Sequence, residues 1–147
     1  MNAATVFVDT SVLVAAEDGS QPALQAATLA WLDLLWRTRS GRTSTQALTE
    51  FYDSVTTCAE GAMPRGDARA AIRRYHSWTP WQLDAATLET AWAIEARHQL
   101  AFGDCVALAA AQHSGCACLL STTLPHGAQF GGVQVAHPSM QEPLLEP

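Results

Sequence analysis

The chain has 147 residues, 48% of them apolar, and a formal charge of −6 from eight basic and fourteen acidic side chains. All eight bases are arginine and none is lysine, which excludes a Walker-type phosphate loop, a Schiff-base lysine and any phospho-aspartate chemistry that needs a lysine partner. The acidic balance also argues against loose electrostatic binding to DNA or an anionic membrane, unless a local basic patch exists.

Length and apolar content predict one domain with its own core over residues 1–138. The tail from 139 to 147 has no hydrophobic pattern and is expected to be poorly ordered. The first twenty residues lack a basic stretch and their apolar run is broken by Asp9, so they do not read as a secretory signal. The longest unbroken apolar run, 105–111, is far shorter than the roughly 20 residues of a membrane span. The expected location is cytoplasmic, with Cys58, Cys105, Cys116 and Cys118 reduced. His113, Cys116 and Cys118 have no zinc-site spacing and read as core or surface residues.

In chain order, TVFVD at 5–9 reads as a buried strand with a polar residue at its exit. Thr10 or Ser11 is placed to cap a short helix through Val12 to Ala16. Gln21 to Thr38 carries Leu24, Ala27, Trp31, Leu32 and Leu35 at helical spacing, with Pro22 in the first turn where a missing amide hydrogen costs little. Arg42 to Ser44 predicts a short strand, and Thr45 to Glu60 a helix closed by Gly61. Pro64 opens a helix to about His76 that stripes Arg65, Arg69, Arg73 and Arg74 along one side. Trp78 to Leu83 suggests a short strand, though Pro80 confines it to an edge or a loop.

Asp84 is placed to cap a helix over Ala85 to Gln99, with Leu88, Ala91, Trp92 and Glu95 at helical spacing. Phe102-Gly103-Asp104 opens a small-residue helix to about Ser114, closed by Gly115. CACLLS at 116–121 and VQVAH at 133–137 read as strands. Strands alternating with helices predict an α/β domain with a mainly parallel sheet between helices. In such sheets ligands sit beyond the carboxyl ends of the strands, the edge to which Asp9 and the STTLPHG loop would both belong.

Three carboxylates stand in unusual contexts. Asp9 ends an apolar strand, Glu50 lies on a helix whose other face must pack, and Asp104 opens a helix of small apolar residues. Each also fits a plain structural role: a strand-end turn, a solvated helix residue and an N-cap. Converging carboxylates repel one another and raise their own pKa values unless a hard cation neutralises them. Such a cluster suits metal-assisted phosphodiester hydrolysis.

FVDTSVLV, STQALTEFYDSVTT, AFGDCVALAAAQHSGCACLLS and GGVQVAHP, in this order and spacing, resemble the PIN-domain ribonucleases, especially the VapC-type toxins of toxin–antitoxin pairs. The resemblance covers most of residues 5–138. It implies a Rossmann-like α/β/α sandwich, a homodimer, RNA as substrate, a small antitoxin that blocks the site, and Mg2+ or Mn2+ as cofactor. It also implies that Asp9, Glu50 and Asp104 are the catalytic acids, with Asp9 and Asp104 on the metal, and that Ser11 orients them by hydrogen bonding.

Thr122 and Thr123 stand where the family usually carries an acidic pair that completes a four-acid site. A hydroxyl is a weaker ligand than a carboxylate for a hard cation, so the resemblance supports an attenuated nuclease. The alternative is a catalytically silent PIN-like module that binds RNA or a protein. A haloacid-dehalogenase-type phosphatase needs a second acid where Ser11 stands, and a receiver domain needs a lysine.

Residues 37–74 hold seven arginines against Glu50, Asp53, Glu60 and Asp67, a net of +3, while the remainder holds one arginine against ten acids, a net of −9. Arg65, Arg69, Arg73 and Arg74 either grip RNA phosphates or form an ordinary solvated face. His126, in the loop after CACLLS, is either a proton-transfer group or a solvated residue. The Trp and Leu content of 21–38 and 78–92 suggests a surface for a second copy or an antitoxin, core packing being the other use.

Overall fold

A computed structural model describes residues 4–58 and 61–143. Three short parallel strands form the centre of a five-stranded sheet: β1 (Val6–Val8), β3 (Cys118–Leu120) and β5 (Val133–Ala136), with β2 (Gly41–Arg42) and β4 (Gln129–Phe130) at the edges. The order is β2-β1-β3-β5-β4, parallel throughout except for the β4–β5 pair. The fold is an α/β sandwich with helices on both faces of this sheet. No helix among the described residues is long and apolar enough to cross a membrane.

Strand alternation builds the two layers. Phe7, Leu119 and Val135 are register partners and point to one face, where they pack on α5 (Ala85–His98) and α6 (Phe102–His113). Val8, Leu120 and Ala136, the next residues along, point to the other face. There they meet α1 (Thr10–Ala15), α2 (Pro22–Thr38), α3 (Thr45–Thr57) and α4 (Arg65–Tyr75). The two-residue period of a pleated strand thus splits one apolar run between two cores.

Local chemistry sets most helix ends. Asp9 caps α1, its carboxylate accepting from Val12 N, so the residue expected only to end the strand also starts the helix in place of Thr10 or Ser11. Ser44 caps α3 through Ala47 N and Asp84 caps α5 through Thr87 N. Pro22 occupies the first turn of α2 as expected, and Arg39 ends that helix in a left-handed conformation at φ 56.

Several boundaries differ from the expectation. α3 ends at Thr57, where Cys58 is extended, and Glu60 lies outside the described residues. Trp78 to Leu83 forms no strand: Trp78 closes a 3-10 turn (His76–Trp78) and Trp81 makes a lone parallel bridge to Ser44. The buried residues of α5 are Thr87, Ala91 and Ile94, while Trp92 is 49% exposed. Asp104 does not cap α6; Ala101 holds that position and Asp104 sits inside the first turn. β4 was not expected; Gly131 at φ 61 lets the chain turn from it into β5.

Most of the tryptophan and leucine expected to seek a partner is consumed internally. Trp31, Leu32, Leu34, Leu35 and Trp78 are buried. Trp36, Tyr75 and Trp78 stack on one another with centroids 4.7 to 5.3 Å apart, beside the β2 edge. The Trp78 indole lies against the Cα of Gly41, where any side chain would collide with it. Past Pro138 the chain is still tied down at Gln141, whose carbonyl accepts from Trp31 Nε1 at 2.8 Å. The last four residues of the tail lie outside the described residues.

Candidate active site

β1 has β2 on one side and β3 on the other, so the chain leaves β1 and β3 in opposite directions and opens a crevice beyond their carboxyl ends. A cleft of about 550 Å³ occupies this crevice. Asp9 reaches it from the end of β1, Glu50 from α3, Asp104 from the first turn of α6, and Thr122 and Thr123 from the end of β3. Residues up to 114 positions apart in sequence thus share one cavity.

Asp9 is the most constrained acid. It is buried, and its Oδ1 accepts from the Ser11 hydroxyl and, at 3.3 Å, from Val12 N. Ser11 Oγ in turn accepts from Thr122 N at 2.9 Å, so one hydroxyl ties the end of β1 to the end of β3. Burial pushes the Asp9 carboxyl up to about 6, against the pull of hydrogen bonds from Ser11, Ser121 and Val12, with a smaller push from the charge of Asp104. The Asp104 charge thus lies within electrostatic range of Asp9 across the cleft that both line.

The other two acids are held by threonines. Thr123 Oγ1 donates to Asp104 Oδ1 at 3.0 Å, and Ser121 Oγ braces the turn by accepting from Thr123 N and Leu124 N. Thr10 Oγ1 lies 3.0 Å from Glu50 Oε2 and 3.1 Å from the Ala47 carbonyl, sharing its hydrogen between them. A Cβ built on Gly103 would stand in ordinary van der Waals contact with Glu50 Oε1, at 3.6 Å, so the Glu50 carboxylate lies against the start of α6.

The donor set has a definite sign. Four carboxylates, Asp9, Asp18, Glu50 and Asp104, line the cleft, and no basic side chain among the described residues does. No three His, Cys, Asp or Glu side chains among the described residues converge tightly enough to cage a metal by themselves. Mg2+ is commonly held by one or two carboxylates and completes its shell with water and substrate phosphate. The Asp9–Asp104 pair, with desolvation raising the cost of the Asp9 charge, fits such a partly hydrated ion and not a closed protein cage.

All six residues expected at the centre, Asp9, Ser11, Glu50, Asp104, Thr122 and Thr123, line this one cleft. Arg65, Arg69, Arg73 and Arg74 are exposed on α4 and none lines it. His126 does not line it either; its Nδ1 accepts from His137 N at 3.1 Å. The sequence reading missed Thr10, Gln46 and Asp18 in the cleft wall. Thr10 was legible only as a possible cap, and nothing in the sequence distinguished Gln46 or Asp18.

The PIN domain family model matches residues 6–122. Among solved structures, the chain is similar to Mycobacterium tuberculosis VapC20, a Sarcin-Ricin loop cleaving toxin, with a TM-score of 0.61 and 23% identity over 78% of this chain and 87% of that one. At that identity the likeness speaks to the fold. No curated protein matches the chain.

Proposed function

Because the chain belongs to the PIN domain family, we propose that it is a divalent-metal-dependent ribonuclease that hydrolyses RNA phosphodiester bonds. In this reading it is a cytoplasmic toxin held in check by a cognate antitoxin protein and works as a homodimer. The observation that carries the reading is that Asp9, Glu50 and Asp104 line one cleft in which no described residue is basic. A site of that sign meets a polyanion only if a cation stands between them.

Mg2+ or Mn2+, when bound, supplies Lewis-acid polarisation of the phosphodiester and makes a coordinated water more acidic. Asp9 and Asp104 would hold it. Ser11 fixes the Asp9 carboxylate and Thr123 fixes that of Asp104, so both are oriented before the cation arrives. Thr10 engages Glu50 Oε2, leaving Oε1 at the cleft to accept a proton from the attacking water.

The test is RNA turnover by protein purified free of any partner, with Mn2+ and Mg2+. Asp9→Asn and Asp104→Asn are expected to lower the rate at least a hundredfold while the chain stays folded. A metal-independent activity that survives both variants would sink the proposal. The second reading, a silent module that binds RNA or a protein without cutting, draws on Thr122 and Thr123 where the family usually has acids. It is the outcome if RNA binds but the wild type never turns over.

A further inference from the structure

Ser121, fully buried just past the end of β3, has one hydroxyl and more partners than a hydroxyl can serve at once. Its Oγ accepts from Thr123 N and Leu124 N, both at 3.1 Å. A hydroxyl carries two lone pairs and one hydrogen, so these two amides fill its capacity to accept. Two contacts remain, to Thr123 Oγ1 at 3.1 Å and to the Asp9 carboxylate, and in both Ser121 must be the donor. Thr123 in turn gives its own hydrogen to Asp104 Oδ1 at 3.0 Å. The hydroxyls therefore run one way, from Ser121 through Thr123 to Asp104, and the single hydrogen at the head of that chain is claimed by Asp9 as well.

We propose that Ser121 is a positioning residue that couples the two cation-binding carboxylates, by dividing one hydrogen between Asp9 and the Thr123 hydroxyl that orients Asp104. The proposal rests on the ribonuclease reading, in which Asp9 and Asp104 hold one ion, and adds what fixes the two relative to each other. The acids come from separate elements, the end of β1 and the first turn of α6, yet the partners of both lie on the turn that Ser121 braces. Thr122 N donates to Ser11, which holds Asp9, and Thr123 holds Asp104. Hydroxyls in series polarise one another, so the more Ser121 gives to Thr123, the more firmly Thr123 holds Asp104. The more it gives to Asp9, the weaker that hold becomes. Drawing negative charge off Asp9 thus returns the hydrogen to Thr123, and engagement of one acid prepares the other.

The experiment titrates Mn2+ calorimetrically into the full chain, purified free of any partner, for wild type, Ser121→Ala, Thr123→Val and the double variant. Melting temperature in EDTA is measured alongside. Ser121→Ala leaves two turn amides without an acceptor and should melt lower whatever its wider role, so Mn2+ affinity is the deciding readout. That affinity is expected to fall about tenfold, equivalent to about 1.4 kcal/mol. Thr123→Val is expected to lose about threefold, and the double variant about tenfold instead of the roughly thirtyfold product of independent sites. Ser121→Thr, which keeps the hydroxyl, should bind Mn2+ within about twofold of wild type. If Ser121→Ala does not fold, the near-isosteric Ser121→Cys, whose thiol is a weak donor and acceptor, takes its place with the same expected outcome. Wild-type affinity in Ser121→Ala, or losses that multiply in the double variant, overturns the proposal. So does a Ser121→Thr that melts like wild type yet binds Mn2+ as weakly as Ser121→Ala. A wild type that binds no Mn2+ overturns this proposal and the ribonuclease reading together. If the coupling is measured and RNA is never cut, the proposal stands and only the ribonuclease reading falls.

Discussion

The Thr123 hydroxyl donates to Asp104 Oδ1 at 3.0 Å, so it orients that carboxylate without adding a charge to the cleft. Thr123→Asp replaces that donor with a third negative oxygen pair beside Asp9 and Asp104. Without metal it should lower the melting temperature through like-charge repulsion. With metal it should tighten Mn2+ or Mg2+ about tenfold, read by calorimetric titration, and raise RNA turnover. Thr123→Val, which removes the donor only, should weaken metal binding a few-fold. If Thr123→Asp changes neither affinity nor turnover, Thr123 does not occupy the place of the missing acid.

Asp9 makes stability depend on pH in an unusual sense. Its carboxyl is raised from 3.8 to about 6, first by burial, so between those values the folded chain binds more protons than the unfolded one. Stability contributed by the protonated carboxyl is therefore present at low pH and is lost as pH rises through about 6, by about 3 kcal/mol for two pKa units. In EDTA, Asp9→Asn should melt several degrees above wild type at pH 7.5 and about level with it at pH 4. Asparagine keeps the cap on α1. Saturating Mg2+ or Mn2+ should restore wild-type stability at pH 7.5, by about 2.7 kcal/mol at a hundred times its dissociation constant. Equal melting curves for the two proteins from pH 4 to 8 would contradict the buried charge.

The α4 arginines are exposed, and the only ion pair among the described residues is Arg37–Asp33 at 2.9 Å, elsewhere on the surface. Arg69 and Arg73 are thus available to phosphates at some distance from the acids. The double variant Arg69→Gln/Arg73→Gln should weaken binding to single-stranded RNA and flatten the dependence of log affinity on log salt by about 0.7 per lost phosphate contact. Single-turnover cleavage at saturating RNA should hold. An unchanged slope would leave these side chains as a solvated face.

Trp92, 49% exposed on α5, follows the half-buried Leu88 by one turn. A tryptophan so placed is the best anchor for the proposed homodimer, since buried aromatics dominate interface energetics. Trp92→Glu should shift the protein to monomer in light scattering without lowering its melting temperature. A dimer that survives the change must use another face.

The alternation of strands and helices was legible in the sequence because it follows from periodicity and chain order, whereas the grouping of Asp9, Glu50 and Asp104 was implied only by the resemblance to PIN-domain ribonucleases. Phe7 and Val8 read as one apolar run, however, and only the register with Leu119 and Leu120 assigns them to opposite cores. Leu88 and Trp92 had helical spacing, but the buried face is that of Thr87, Ala91 and Ile94, where the small Thr87 and Ala91 suit the close approach of α5 to the small-residue helix α6. The strand expected near Trp81 failed because Pro80 and the 3-10 turn leave room for one bridge only. Gln46 carried no sequence signal at all.

Both margins of the sheet are strands of two residues, β2 and β4, and the Trp78 indole fills the space over Gly41 at the first of them. Such stubs present almost no free ladder of amide and carbonyl groups to another chain. Strand addition is thereby closed off as a way of assembling on this molecule. A second copy or an inhibitor must recognise it through helix faces and side chains, so its associations are written in surface residues that can change without disturbing the sheet.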